Sequence, residues 1–299
     1  MEGGAKRLAV LVGCNYPDTE YELQGCINDV LEMRDLLVER FRFDPNDIEM
    51  LTDEPGGSAI IPTGANIKKA LERMVDRAEE GDVLYFHYSG HGTLIPSLNP
   101  DDPSRKDEAI VPCDFNLITD MDFRQLVNCL PGKSSFTILS DSCHSGGLID
   151  QRKGANRTFH KARKGKNTPW IPFFSPKDDP HRLHYPKAQA ANQHGNHQHR
   201  YSLKSALQRR RQPPVPTNET SADVNMEDEG GKAYGAFSNA VRTVLKEESG
   251  AVSNREIVIR ARMVLQEQGF RQHPCLYCSD ENGNAPFLLQ PIPKEDSSA

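Results

Sequence analysis

Two short segments carry residues whose types and spacing suit covalent chemistry. The segment SDSCHSGG (140–147) sets Cys143 directly after the apolar run SFTIL, and YFHYSGHGT sets His91 between two glycines just past another apolar run. A thiol and an imidazole are what nucleophilic acyl transfer needs. The imidazole biases the thiol toward thiolate, the thiolate attacks a carbonyl carbon, and the imidazolium then protonates the leaving amine. Glycines after each residue, Gly92 and Gly146–Gly147, leave backbone N–H groups unobstructed for an oxyanion. Taken singly, both residues have plainer readings. A buried cysteine usually behaves as a small hydrophobe, and a histidine between glycines can be a satisfied structural residue. The residues alone leave this open until the two are brought together.

The elements around them predict how that happens. From Arg7 to Gly147 apolar runs alternate with amphipathic segments: RLAVLVG, then NDVLEMRDLLVERF with Val30, Met33, Leu36, Leu37 and Phe41 on one helical face, then strand 47–52, helix 66–79, strand 82–90, strand 108–114, helix 120–130 and strand 135–141. Such a series predicts an α/β fold with a mostly parallel central sheet and helices on both faces, in which ligands gather at the carboxyl ends of strands. Both His91 and Cys143 stand where a strand stops. Between 151 and 230 the rhythm is lost. This stretch holds 15 Lys/Arg against 7 Asp/Glu inside a chain of net charge -6, and its one apolar patch, WIPFF, contains Pro172. It reads as a basic low-complexity linker or insert with little fixed structure. Helical patterning returns over 234–248 and 254–270, with Ile257, Ala261, Val264 and Leu265 on a face, and a last short pair, HPCLYCSD and PFLLQ, reads as strand and tail.

At 299 residues with 36% apolar and 26% charged residues, the chain is of ordinary globular composition. No apolar run reaches the roughly 20 residues of a membrane helix, and the first apolar stretch is too short for a secretory signal, so the reading is no membrane partner and a cytoplasmic or nuclear location. Seven irregularly spaced cysteines argue for reduced thiols over a disulfide framework.

The segments FHYSGHGT, DEAIVPCDFN and SDSCHSGGLID, with GCNY, ELQGCINDV and KAYGAFSNA, resemble plant-type metacaspases of type II. These are caspase-like cysteine peptidases of clan CD, family C14, and the likeness points to their short, calcium-variable members. No proline-rich or zinc-finger segment precedes KRLAVLVG, which fits type II over type I. The resemblance implies a caspase-like three-layer sandwich, with a large catalytic subdomain over 1–150, the linker over 151–230 and a small subdomain over 231–299. It implies that His91 is the general acid/base and Cys143 the nucleophile, with the N–H groups of Gly92 and Cys143 as oxyanion donors and no third triad member required. It places the primary specificity pocket at Cys26, Asp29, Ser89 and Asp141, where two carboxylates would trap a cation, so that cleavage follows Arg or Lys. The plainer readings are helix capping for Asp29, a turn for Asp141 and packing for Cys26.

The same resemblance implies a self-processing zymogen acting on protein substrates in cell death or stress, a monomer, and no cofactor for the chemistry itself. Ca²⁺ is a possible activator, for which Asp101, Asp102, Asp107 and Glu108 offer hard oxygen ligands. Processing candidates in the basic stretch are Arg163, Lys164, Lys166, Arg209, Arg210 and Arg211.

One departure stands out. In the family an apolar strand leads into a TSAD-like segment, but here TSAD (220–223) follows RRRQPPVPTNE, which cannot make an interior strand. This opens an alternative: an impaired or variant metacaspase lacking one core strand and acting through binding. Nucleic acid is a weaker partner for the basic stretch, and zinc on His273, Cys275 and Cys278 or on His194, His197 and His199 is weaker still, because a single C-x-x-C lacks its second pair.

Overall fold

Arg7–Gly13 forms β1, buried from Leu8 onward on both faces, as a central strand of a parallel sheet requires. In this computed structural model residues 5–57, 59–96, 106–142, 226–227, 232–270 and 272–288 are described. After β1 come α1 (Cys26–Glu39), β2 (Ile48–Thr52), α2 (Gly64–Arg77), β3 (Val83–Ser89), β4 (Gly92–Pro96), β5 (Lys106–Ile110), β6 (Ile118–Thr119), α3 (Asp120–Asn128) and β7 (Ser135–Asp141). Then follow β8 (Met226–Glu227), β9 (Ala233–Tyr234), α4 (Ala236–Glu247), α5 (Asn254–Glu267) and α6 (Asp280–Asn284).

The central sheet has the order β2-β1-β3-β7, and every pair is parallel. Its side chains alternate faces with period two. Ala9, Leu11, Val83, Tyr85 and Leu139 join α1, α4 and α5 in one core; Leu8, Val10, Val12, Leu84, Phe86 and Tyr88 join α2 and α3 in the other. This is the mostly parallel sheet with helices on both faces expected from the alternation, and the three layers that the resemblance implies. The predicted apolar face of α1 is all buried, with Phe41 just beyond the helix end. Ile257, Ala261 and Leu265 of α5 are buried as expected, and Val264 packs partly against them.

Two expectations need correction. The run at 108–114 is not a strand of the parallel sheet: β5 occupies 106–110 and pairs antiparallel with β4 and β6 in a separate three-stranded sheet. Only nine residues separate Pro96 at the end of β4 from Lys106 at the start of β5, too few for the crossover that a parallel return needs. The strand expected at HPCLYCSD is also absent: α6 begins at Asp280, and Pro286 of the tail makes an isolated bridge with Ser253. Prolines at 274 and 286 remove the donors that a ladder needs.

The two ends of the described chain are tied through backbone carbonyls. The Arg40 guanidinium donates to the carbonyl oxygens of Leu245, Glu248 and Gly250, beyond the reach of α4's own N–H groups. Arg7 Nη1 donates to Leu288 O at 2.5 Å. Gly25 enters α1 at φ 107, and a Cβ there would sit 2.8 Å from the Ala233 and Tyr234 backbone, so only glycine permits this approach.

Candidate active site

The carboxyl ends of the sheet align the residues that matter. In register, Gly13 is opposite Ser89, and Ser89 is opposite Asp141. His91 follows Ser89 by two residues. Asp141 is in turn followed by Ser142, the last residue described before Cys143, which lies outside the described residues together with Asp101, Asp102, Arg163, Lys164, Lys166, Arg209, Arg210, Arg211, His194, His197 and His199. The strand ends are cross-tied: Gly90 N–H donates to Asp141 O at 3.3 Å, and Cys14 N–H to Ser89 O at 3.0 Å.

His91 is half-buried, and its imidazole is held by the loop between β1 and α1. Nε2 lies 2.8 Å from the carbonyl oxygen of Tyr21. A carbonyl only accepts, so Nε2 is the donor here, which leaves Nδ1 on the other side of the ring. The Tyr16 ring stands beneath the imidazole with centroids 4.8 Å apart, and Tyr21 meets it edge-on at 6.5 Å. The His91 main chain is also fixed. Its N–H donates to Tyr16 Oη at 2.9 Å, while its carbonyl accepts from Val111 N–H and from Tyr88 Oη, each at 2.9 Å. Burial drives the Tyr16 and Tyr88 phenols well above their ordinary pKa, so both stay neutral. Gly90 is required here by close approach, since a Cβ would lie 2.6 Å from Tyr88 Oη and 2.9 Å from Tyr16 Oη.

Gly92 opens β4 opposite Ile110. The bond from Val111 N–H to His91 O makes this a non-hydrogen-bonded pair, so the Gly92 N–H points away from β5. That direction suits an oxyanion donor.

Of the four residues expected at the pocket, Ser89, Asp29 and Asp141 are all buried, and Cys26 is buried as the first residue of α1. Ser89 Oγ donates to Asp29 Oδ2 at 2.7 Å, and Gly235 N–H donates to the same carboxylate at 3.0 and 3.1 Å. Ser238 N–H donates to Asp141 Oδ2 at 2.8 Å. Asp29 therefore serves a tertiary contact and does not cap its own helix. A Cβ on Gly235 would lie 2.4 Å from Asp141 Oδ2 and 2.6 Å from Asp29 Oδ2, so both carboxylates close on one glycine. Burial first, and the charge of Asp141 second, push the Asp29 carboxyl well above its usual range; Ser89, Gly235 and Arg242 pull the other way. Arg242 itself rides over the Tyr234 ring at 4.5 Å and pairs with Glu32 at 3.0 Å.

Tyr16, Tyr21, Gly235, Ser238 and Arg242 were not singled out by residue type. Only the glycine of YGAF, just ahead of a helix, offered a signal for one of them.

His91 thus stands just past β3, and the buried carboxylates of Asp29 and Asp141 meet at Gly235. Residues 6–152 match the family model described as "Metacaspase, peptidase C14 domain". Metacaspase-9 of Arabidopsis thaliana is 48% identical over 96% of this chain and 98% of its own length. The chain belongs to the metacaspases. Metacaspase-4 and Metacaspase-6 of the same plant are each 33% identical, over 94% of this metacaspase and 99% of their own lengths. The family is one of caspase-like cysteine-type peptidases, acting on protein substrates.

The remaining site expectations distribute differently. Asp107 and Glu108 of this metacaspase are consecutive in β5, so their side chains leave opposite faces of the strand. His273 is exposed, and Cys275 and Cys278 are free, exposed thiols. Among the described residues no group of three or more His, Cys, Asp or Glu is placed to hold a metal ion, and no helix is long and apolar enough to cross a membrane.

Proposed function

We propose that this metacaspase is an endopeptidase that cleaves after Arg or Lys, with Cys143 as nucleophile and His91 as general acid/base. The convergence of Asp29 and Asp141 on Gly235, with Ser89 between them at the strand end, carries this reading. Two buried carboxylates in one place repel each other, which together with burial raises the Asp29 carboxyl, and a guanidinium or ammonium relieves that repulsion. The Cys143 thiolate attacks the carbonyl following that cation, the N–H groups of Gly92 and Cys143 donate to the oxyanion, and His91 protonates the departing amine. Water then hydrolyses the thioester with His91 as base. Self-processing in the basic stretch after Lys or Arg, a role in cell death or stress, calcium activation through the acidic residues around 101–108, monomeric state and cytoplasmic location complete the proposal.

A second reading is favoured by two observations. Among the described residues β7 ends the sheet with Phe136, Thr137 and Ile138 only half-buried, and the sequence RRRQPPVPTNE carries three Arg and three Pro where the resemblance calls for an apolar strand. On that reading the dyad is stranded in an incomplete sheet and the protein acts by binding. Turnover of fluorogenic peptides ending in Arg, Lys or Asp, with Ca²⁺ and with chelator, beside Cys143→Ala, separates the two. Cleavage after Arg or Lys that vanishes in the variant supports the peptidase; a folded protein without turnover supports the second reading.

A further inference from the structure

Tyr16 is fully buried, yet its backbone stands in the left-handed region at φ 52. A bulky residue holds that conformation only where its surroundings over-determine it. Asp53 supplies the constraint. Its two oxygens accept the consecutive N–H groups of Asn15 and Tyr16, each at 2.8 Å, while Thr19 Oγ1 donates to the Tyr16 carbonyl at 2.8 Å. Held this way, the phenol reaches His91 by two routes. Its ring lies against the imidazole, and its hydroxyl accepts the His91 N–H while donating to Val111 O at 2.5 Å. The loop that begins at Tyr16 also delivers the Tyr21 carbonyl to Nε2.

We propose that Tyr16, locked by Asp53, is the positioning residue for His91: its hydroxyl fixes the main chain from which the imidazole projects, and its ring fixes the imidazole plane. Nε2 is thereby kept on the Tyr21 carbonyl, and Nδ1 faces away from it. The kinetic consequence rests on the peptidase reading; the geometric one does not. Removing the hydroxyl leaves the His91 N–H without its acceptor and frees the ring, and small misplacements of a catalytic group cost rate more than binding.

The test uses the full chain labelled with ¹⁵N-histidine, as wild type, Tyr16→Phe and Asp53→Asn, with His91→Gln to assign the His91 resonances. Tyr16→Phe is expected to lower kcat on an Arg-ending peptide by about 10-fold or more, and to shift or broaden the His91 Nε2–H signal. The inhibition constant of benzamidine, which reads the carboxylate pocket, is expected to stay within about twofold. Unchanged His91 resonances with kcat within about twofold of wild type would overturn the proposal. If the wild type shows no turnover, the peptidase reading falls, and the resonances alone decide for or against Tyr16. Should Tyr16→Phe not fold, Asp53→Asn, which leaves the phenol in place, answers by the same signals.

Discussion

The Ser89 hydroxyl donates a hydrogen bond to Asp29 Oδ2 across 2.7 Å, tying the end of β3 to the first turn of α1. The bond fixes one carboxylate of the pair below His91 while leaving Asp141 to the N–H of Ser238. Replacing Asp29 by Asn keeps the shape and removes the charge. Asp29→Asn is expected to lower kcat/KM for an Arg-ending peptide by roughly 10²-fold, the size associated with a buried charge pair losing one partner. Circular dichroism should be unchanged; equal kcat/KM would remove Asp29 from the pocket.

Because the Asp29 carboxyl is raised by burial and by Asp141, it is ionised only well above the usual carboxylate range. A cation favours the ionised form, so its affinity is expected to rise with pH and its binding to release protons. Titration calorimetry of benzamidine in buffers of different ionisation enthalpy checks this, and a buffer-independent heat would contradict it.

His87 lies inside the sheet with its Nε2 3.1 Å from Ser238 Oγ, and burial lowers its pKa from 6.5 to about 3. The folded protein keeps it neutral where the unfolded chain takes up a proton. Stability is therefore expected to fall as pH drops from 6.5 toward about 3. His87→Gln should flatten that slope in thermal melts. An unchanged slope would mean other groups set it.

Gly235→Ala places a methyl against both carboxylates, at 2.4 and 2.6 Å. Since backbone and buried acids must both move, a loss of about 1–3 kcal/mol in denaturant unfolding is expected, together with loss of Arg-peptide turnover. Full retention of both would show that the segment before α4 yields easily.

Much of this was legible in the sequence, for reasons that differ by element. The face of α1 followed from a period of 3.6 over Val30, Met33 and Leu37, and β1 and β3 from unbroken apolar runs. The antiparallel β4–β5 pair was hidden because Asp107 and Glu108 interrupt the run that names β5, while HGTLIP reads as a loop. The carboxylates of Asp29 and Asp141 came from resemblance, and their partners could not be read at all. A main-chain carbonyl at Tyr21 or an N–H at Gly235 has no side chain to announce it, and the left-handed turn at Tyr16 depends on Asp53, a contact between distant positions.

The core that buries α1 is lined on one side by β1 and β3 and on the other by α4 and α5, and Arg40 reaches across to the end of α4. One hydrophobic volume thus belongs jointly to the two polypeptide stretches flanking residues 143–231. Severing the chain anywhere between them would convert an intramolecular fold into a bimolecular complex without removing a contact of that core. The connecting peptide sets an effective concentration; once it is cut, melting becomes dependent on dilution, and the nicked protein has a dissociation constant where the intact one has none.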